Sequence, residues 1–237
     1  MARIFPRMVS LLTGGNHTLY VRPYELNIVG VRSARTKPNR FDDEIHVFYR
    51  TGKGLGWNYH VYKATTDPGT SWLNAGRANP LGTAILAQGQ YADAYRIGMH
   101  KGLYPALVQS GNVDVIRDYD RDARLDFRSE RRQAGVFGIN IHRAAASGKT
   151  TRIGEWSAGC QVFARAEDFS EFMRLCELHR ARYGNRFTYT LFDFRDRLRG
   201  AATRALLGGV AGAVAFGLWR VVEGFKSEGR EGKGHGG

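Results

Sequence analysis

Apolar and polar positions alternate with a period of two through most of this chain, and the period lengthens only after residue 160. Alternation of this kind predicts strands with one face buried. Short strands are expected at Thr18–Val21, Glu25–Val31, Thr83–Leu86, Tyr95–Met99, Ala106–Gln109, Val113–Arg117, Val136–His142 and Phe187–Phe192. Ile45–Tyr49 and Trp57–Tyr62 flank the glycine-rich GKGLG and predict a β-hairpin with aromatics on at least one face. Thr66-Asp67-Pro68-Gly69 and Asn79-Pro80-Leu81-Gly82 read as turns. The charged run from Asp118 to Arg132 reads as an exposed loop or edge. Helical spacing appears once, where Phe169, Phe172, Met173 and Cys176 fall at i, i+3, i+4 and i+7. Acidic Glu167 and Asp168 start that helix and Gly184 ends it. The pattern therefore predicts a mostly β (α+β) domain with one main helix.

A change in kind near residue 195 sets the domain organisation. Arg195, Arg197, Arg199 and Arg204 precede fifteen uncharged residues, Ala205 to Trp219. That run is shorter than the roughly 20 apolar residues a bilayer span needs. It is rich in Gly and Ala, and two readings stand: a helix packed on the domain or a partner, or a segment that inserts at a membrane surface. Expected boundaries are an N-terminal arm over 1–20, a main domain over 20–194, a basic and apolar helix over 195–225 and a disordered tail over 226–237. There is no internal repeat.

Composition changes this picture in one respect. Thirty-five Lys+Arg stand against 22 Asp+Glu, and the pI is near 10.1. Such a balance favours a polyanionic partner. No interleaved basic and aromatic pattern marks a specific nucleic-acid site, so a wall polymer or membrane surface ranks above nucleic acid. Cys160 and Cys176 are too few for a disulfide framework. The apolar run Met8–Leu12 behind Pro6 is too short for a signal peptide, so none is expected.

Candidate chemistry concentrates in Gly138–Phe163. An apolar run ends in His142, and a loop then closes on Ser157-Ala158-Gly159-Cys160. A nearby imidazole raises the thiolate fraction of a cysteine and serves as its base, and a glycine before it lets backbone N–H groups point at an oxyanion. Ile141-His142, Ile153-Gly154, Ser157-Ala158-Gly159-Cys160 and Val162 together resemble the active-site signature of the L,D-transpeptidase (YkuD-type) family. Asn79-Pro80-Leu81-Gly82-Thr83-Ala84-Ile85 is similar, more weakly, to that family's upstream turn and strand. The family usually carries His where Ala158 stands and a polar or basic residue where Val162 stands, which leaves His142 as the sole histidine base.

The resemblance implies a mixed β-sheet sandwich, peptidoglycan stem peptides as substrate, and acyl transfer through a thioester on Cys160 with no cofactor. His142 is then the base, and Gly159 and Cys160 N–H groups the oxyanion hole. Ser157 braces the loop or polarises the carbonyl. Either a backbone carbonyl or a carboxylate such as Glu155 orients His142. Trp156, Gly154, Arg143 and His60 are candidate substrate-binding residues, with His100 a further groove candidate.

The incomplete transpeptidase pattern favours hydrolysis, as in a phage-type lysis or entry protein made in the cytoplasm and acting at the wall. The competing readings are a cross-linking transpeptidase and a non-catalytic wall-binding or virion module. A third is a membrane or virion interaction protein working through 195–225. His46, His60 and His100 lack the close pair spacings of a zinc site, so no metal is expected. Cys176 belongs to the helix core, and Asp118, Asp120, Asp122 and Asp126, alternating with arginines, read as a solvated face rather than as glycosidase carboxylates.

Overall fold

Strands hold 41% of the described residues and helices 19%, so the domain is mostly β. The computed structural model describes residues 4–34, 37–52, 56–75 and 80–195. The chain divides into two units, Met1–Phe194 and Arg195–Gly237, and the architecture here is that of the first. The expected C-terminal helix and tail lie, from residue 196 onward, outside the described residues.

In chain order the elements are α1 (Ile4–Gly14), β1 (Asn27–Arg32), β2 (Asp43–Arg50), β3 (Trp57–Thr65), α2 (Thr70–Ala75), β4 (Thr83–Leu86), β5 (Gly89–His100), β6 (Tyr104–Gln109), β7 (Val113–Asp118), β8 (Arg132–Gly135), β9 (Ile141–Arg143), β10 (Gln161–Phe163), α3 (Ala166–Tyr183) and β11 (Phe187–Asp193). Eight strands close into a barrel in the order β1-β11-β5-β6-β9-β10-β3-β2, and β4-β7-β8 form a separate three-stranded sheet. The expected sandwich is therefore corrected to a barrel with an added sheet. Closure comes from the last strand: β11 pairs parallel to β1 and antiparallel to β5, a long-range contact that no local pattern announces.

One core runs from the barrel interior to α3. Ile28, Ile45, Val47, Leu107, Ile141, Phe163 and Leu191 share it with Phe169, Phe172, Leu175 and Cys176 of the helix. The Phe163 and Phe172 ring centroids lie 4.9 Å apart. Burying side chains of this size contributes about 1.5–3 kcal/mol each. The predicted helix is thus present, capped by Gly184 at φ 86, and Cys176 is a free, buried core thiol.

The expected N-terminal arm is instead largely helix α1. Pro6 sits in its first turn, where a missing N–H costs nothing. Met8, Leu11 and Leu12 pack on Val29, Val31, Phe48 and Phe192, covering the barrel's outer face over β1, β2 and β11.

At one end of the barrel a charge network is sealed in. Arg32 is fully buried, 2.8 Å from an Asp67 carboxylate oxygen and 3.3 Å from one of Asp193. It also donates to the Thr66 and Leu86 carbonyls, both at 3.0 Å. Asp43 accepts from the Ser33 and Thr66 N–H groups at 2.7 Å each. Burial, then repulsion from Asp67, pushes the Asp43 carboxyl up to about 7. These contacts bind β1, β2, β4, β11 and the 66–67 turn at one point.

Candidate active site

A parallel pair places the cysteine beside the histidine strand. β9 and β10 pair with Gln161 opposite Ile141 and Val162 opposite His142. Parallel neighbours need a long crossover, and residues 144–160 supply it. The Gln161 N–H donates to the Asn140 carbonyl at 2.9 Å, which sets Cys160 next to Asn140, two residues before His142.

The crossover is tied down along its length. Asn39 accepts from the Ile153 N–H through its carbonyl at 3.3 Å and from the Gly154 N–H through its side chain. Trp72 donates its indole N–H to the Glu155 carbonyl at 3.1 Å, and the Gly69 N–H donates to the Ser157 carbonyl at 2.9 Å. Ser157, fully buried, accepts from the Gly159 N–H at 3.1 Å and donates to the Cys160 carbonyl at 2.8 Å. It braces the turn, which decides between the two roles left open for it. Gly159 has φ +124, and a Cβ there would stand 2.2 Å from the Ala84 carbonyl oxygen of β4. Only glycine fits that approach. Gly159→Ala is expected to lower the melting temperature by several degrees and slow alkylation of Cys160 by iodoacetamide at least about tenfold, through displacement of the turn. Melting curves and alkylation rates of the full chain check both.

Donor logic assigns the imidazole tautomers. His142 Nδ1 lies 2.7 Å from the Arg143 carbonyl, which only accepts, so Nδ1 carries the proton and Nε2 the lone pair. The orienting group is thus a backbone carbonyl; Glu155 is exposed and is not that partner. His142 Nε2 is buried with no hydrogen-bond partner among the described residues. The His100 ring stacks on His142 with centroids 4.0 Å apart at 22°. The Gln109 N–H donates to Asn140 Oδ1 at 2.9 Å, so the Asn140 amide nitrogen donates to His100 Nδ1 at 3.0 Å, and His100 carries its proton on Nε2. Tyr104 closes the group, its hydroxyl 3.2 Å from the Arg143 carbonyl.

Burial is the largest influence on both members of the pair and opposes the rise in thiolate fraction expected from a nearby imidazole. Burial pushes the Cys160 thiol up to about 11, and burial with His100 beside it holds His142 down to about 3. The sulfur accepts from the Asn140 N–H at 3.4 Å and lies 3.5 Å from the Gly138 carbonyl, to which the thiol donates; among the described residues it makes no hydrogen bond to His142. Catalytic hydrogen bonds are often long before substrate binds. The oxyanion hole is corrected too: the Gly159 N–H is taken by Ser157, whereas the Cys160 N–H donates no bond among the described residues.

Other candidates fall in two groups. Arg143 is in the site, its guanidinium 4.3 Å over the Tyr104 ring. Gly154 and Trp156 lie on the crossover, Trp156 46% exposed. His60 is elsewhere: it stacks between Tyr49 and Tyr62 and faces Glu171 of α3, five residues along β3 from the position beside Val162. At about 3.3 Å per residue that is some 16 Å. Sequence reasoning underweighted His100 and missed Asn140 and Tyr104; the hairpin HKGLY joining β5 to β6 is the signal that holds two of these three. Beside the crossover a cleft of about 680 Å³ is lined by Asn39, Arg40, Lys63, Lys149 and Arg152 among others. No protein-family model, curated protein or solved structure matches the chain.

Proposed function

We propose that this protein is a cysteine acyl-transfer enzyme, resembling the L,D-transpeptidases in its His142–Cys160 segment, that acts on the stem peptides of bacterial peptidoglycan. The observation that carries the reading is the β9–β10 register, which sets Cys160 next to Asn140, two residues along the strand from a histidine whose Nδ1 is held by a carbonyl and whose Nε2 is buried and without a hydrogen-bond partner among the described residues. Substrate closing over the thiol brings the Cys160 proton to His142 Nε2 as sulfur attacks the stem carbonyl. The Cys160 N–H steadies the oxyanion. Imidazolium then protonates the leaving amine, and a thioester remains on Cys160.

Water is the favoured acceptor. Ala158 stands where the resembled family has its second histidine, so no further base on that turn prepares an amine. The basic cleft suits an acidic wall polymer. The protein would work at the bacterial wall as a lysis or virion-entry protein of phage type, with residues 195–225 as contact to a membrane surface or virion partner. The competing reading is a wall-binding module with the same fold and no chemistry; the thiol's contact with the Gly138 carbonyl, in place of one with His142, favours it.

Incubating the full chain with purified peptidoglycan, followed by mass spectrometry, decides among these. Hydrolysis releases stem peptides or terminal residues. New cross-links without release would identify a transpeptidase instead, and unchanged muropeptides with the protein bound would favour the binding module.

A further inference from the structure

The loop between β7 and β8 carries a spacing that the Cys160 chemistry does not use. Asp118, Asp120, Asp122 and Asp126 stand at positions 1, 3, 5 and 9 of a run whose position 7 is Arg124. Those are the side-chain and carbonyl positions of a 12-residue calcium loop, which turns sharply at position 6, normally on glycine. Here position 6 is Ala123, held at φ 63.

The spacing alone would be an acidic cluster. The independent observation is Asp118. It is 3% exposed, its Oδ2 accepts from the Asp126 N–H at 2.8 Å, and its Oδ1 is buried with no hydrogen-bond partner among the described residues. A carboxylate oxygen left so is costly unless something cationic meets it. Burial, followed by repulsion from Asp120, Asp126 and Asp122, pushes this carboxyl up to about 6, so all three neighbours bear on it. The nearby arginines do not neutralise the group. Arg131 lies over the Tyr119 ring and Arg117 bonds to Gln133 and the Gly82 carbonyl. Among the described residues only Arg124 pairs with a loop carboxylate, Asp122 at 3.8 Å.

We propose that residues 118–126 bind Ca²⁺ through Asp118 Oδ1, the carboxylates of Asp120, Asp122 and Asp126, the Arg124 carbonyl and water. Among the described residues no three of these carboxylates converge on one point. Asp120 and Asp122 are exposed and Asp126 half-buried, so they turn inward about the fixed Asp118, while Leu125 and Phe127 anchor the loop on Ile85 and Ile116. Position 12, which supplies a bidentate Glu in tight loops, is Ser129, placing affinity in the 10⁻⁴–10⁻³ M range of extracellular modules. The ion would stiffen the sheet behind the catalytic turn, since Asp118 pairs with Thr83 and the adjacent Ala84 abuts Gly159.

The test uses the full chain after EDTA treatment, melted with no metal, with 5 mM CaCl₂ and with 5 mM MgCl₂, alongside calcium titration calorimetry. Calcium is expected to raise the melting temperature by about 3–6 °C, as for a ligand at roughly ten times its Kd, and magnesium by less. Asp118→Asn and Asp122→Asn should each remove the rise; Asp122 is exposed, so its variant reads out even where the buried one folds poorly. No rise and no binding heat, an equal rise with magnesium, or a rise that survives both substitutions overturns the assignment. None of these outcomes depends on wall activity.

Discussion

Alanine at Cys160 is expected to lower release of stem peptides from peptidoglycan by at least about 10³-fold, with the melting temperature nearly unchanged. The side chain contributes one weak sulfur contact to Asn140 and one to Gly138, so its removal disturbs the chemistry and little else. His142→Ala should cost roughly 10²–10⁴-fold, as for loss of a general base. The pH profile distinguishes a neutral pair from a preformed ion pair. A thiol raised to about 11 is protonated throughout the physiological range, so its alkylation by iodoacetamide should climb about tenfold per pH unit from 7 to 10 without levelling. His142, held down to about 3, stays neutral and available as base well below pH 6, so turnover should keep its base in mild acid. An alkylation plateau below pH 7 would contradict the neutral resting pair. Full stem-peptide release by the alanine variant would sink the nucleophile assignment outright.

The legible parts of this fold are those written in local pattern. The β2–β3 hairpin, the separate short strands and α3 with its Gly184 stop all follow from period and punctuation. The departures share one physical cause: a side chain takes a place that a neighbouring strand would fill. Thr18–Val21 alternates like a strand, yet the Asn27 side chain bonds both the N–H and the carbonyl of Tyr20 at 2.8 Å. Val136–Asn140 does likewise. Gln109 Oε1 accepts the Phe137 and Ile139 N–H groups, so only Ile141–Arg143 joins the barrel as strand. α1 was hidden because its apolar run is short and its burial depends on the outer faces of β1 and β11. At the site, the cysteine, histidine and glycine were readable from spacing. The stacked His100 and the Asn140 link were not, since the β5–β6 hairpin that brings them in lies some 40 residues upstream.

Arg32→Met is expected to destabilise the domain by about 3–5 kcal/mol at neutral pH, the cost of leaving a buried ion cluster without its cation. For a chain of this size that corresponds to a melting temperature about 6–20 °C lower. Burial works against the guanidinium, but Asp67, Asp193 and Asp43 together more than offset it, and it stays charged. Removing it leaves three carboxylates facing one another in a dry pocket. Their folded-state pKa values then rise above the unfolded range near 4, and groups shifted that way contribute stability at low pH that is lost as pH rises. The deficit of the variant should therefore be smallest near pH 4.5 and largest above pH 7, provided both chains are compared at each pH. Thermal or urea melts at pH 4.5 and 7.5 measure it, and a deficit equal at the two values would show that packing rather than charge is lost. The consequence reaches the site by a short path. Arg32 holds the Thr66–Asp67 turn, and three residues on the Gly69 N–H supports the Ser157 carbonyl, so the variant should also loosen the turn that presents Cys160.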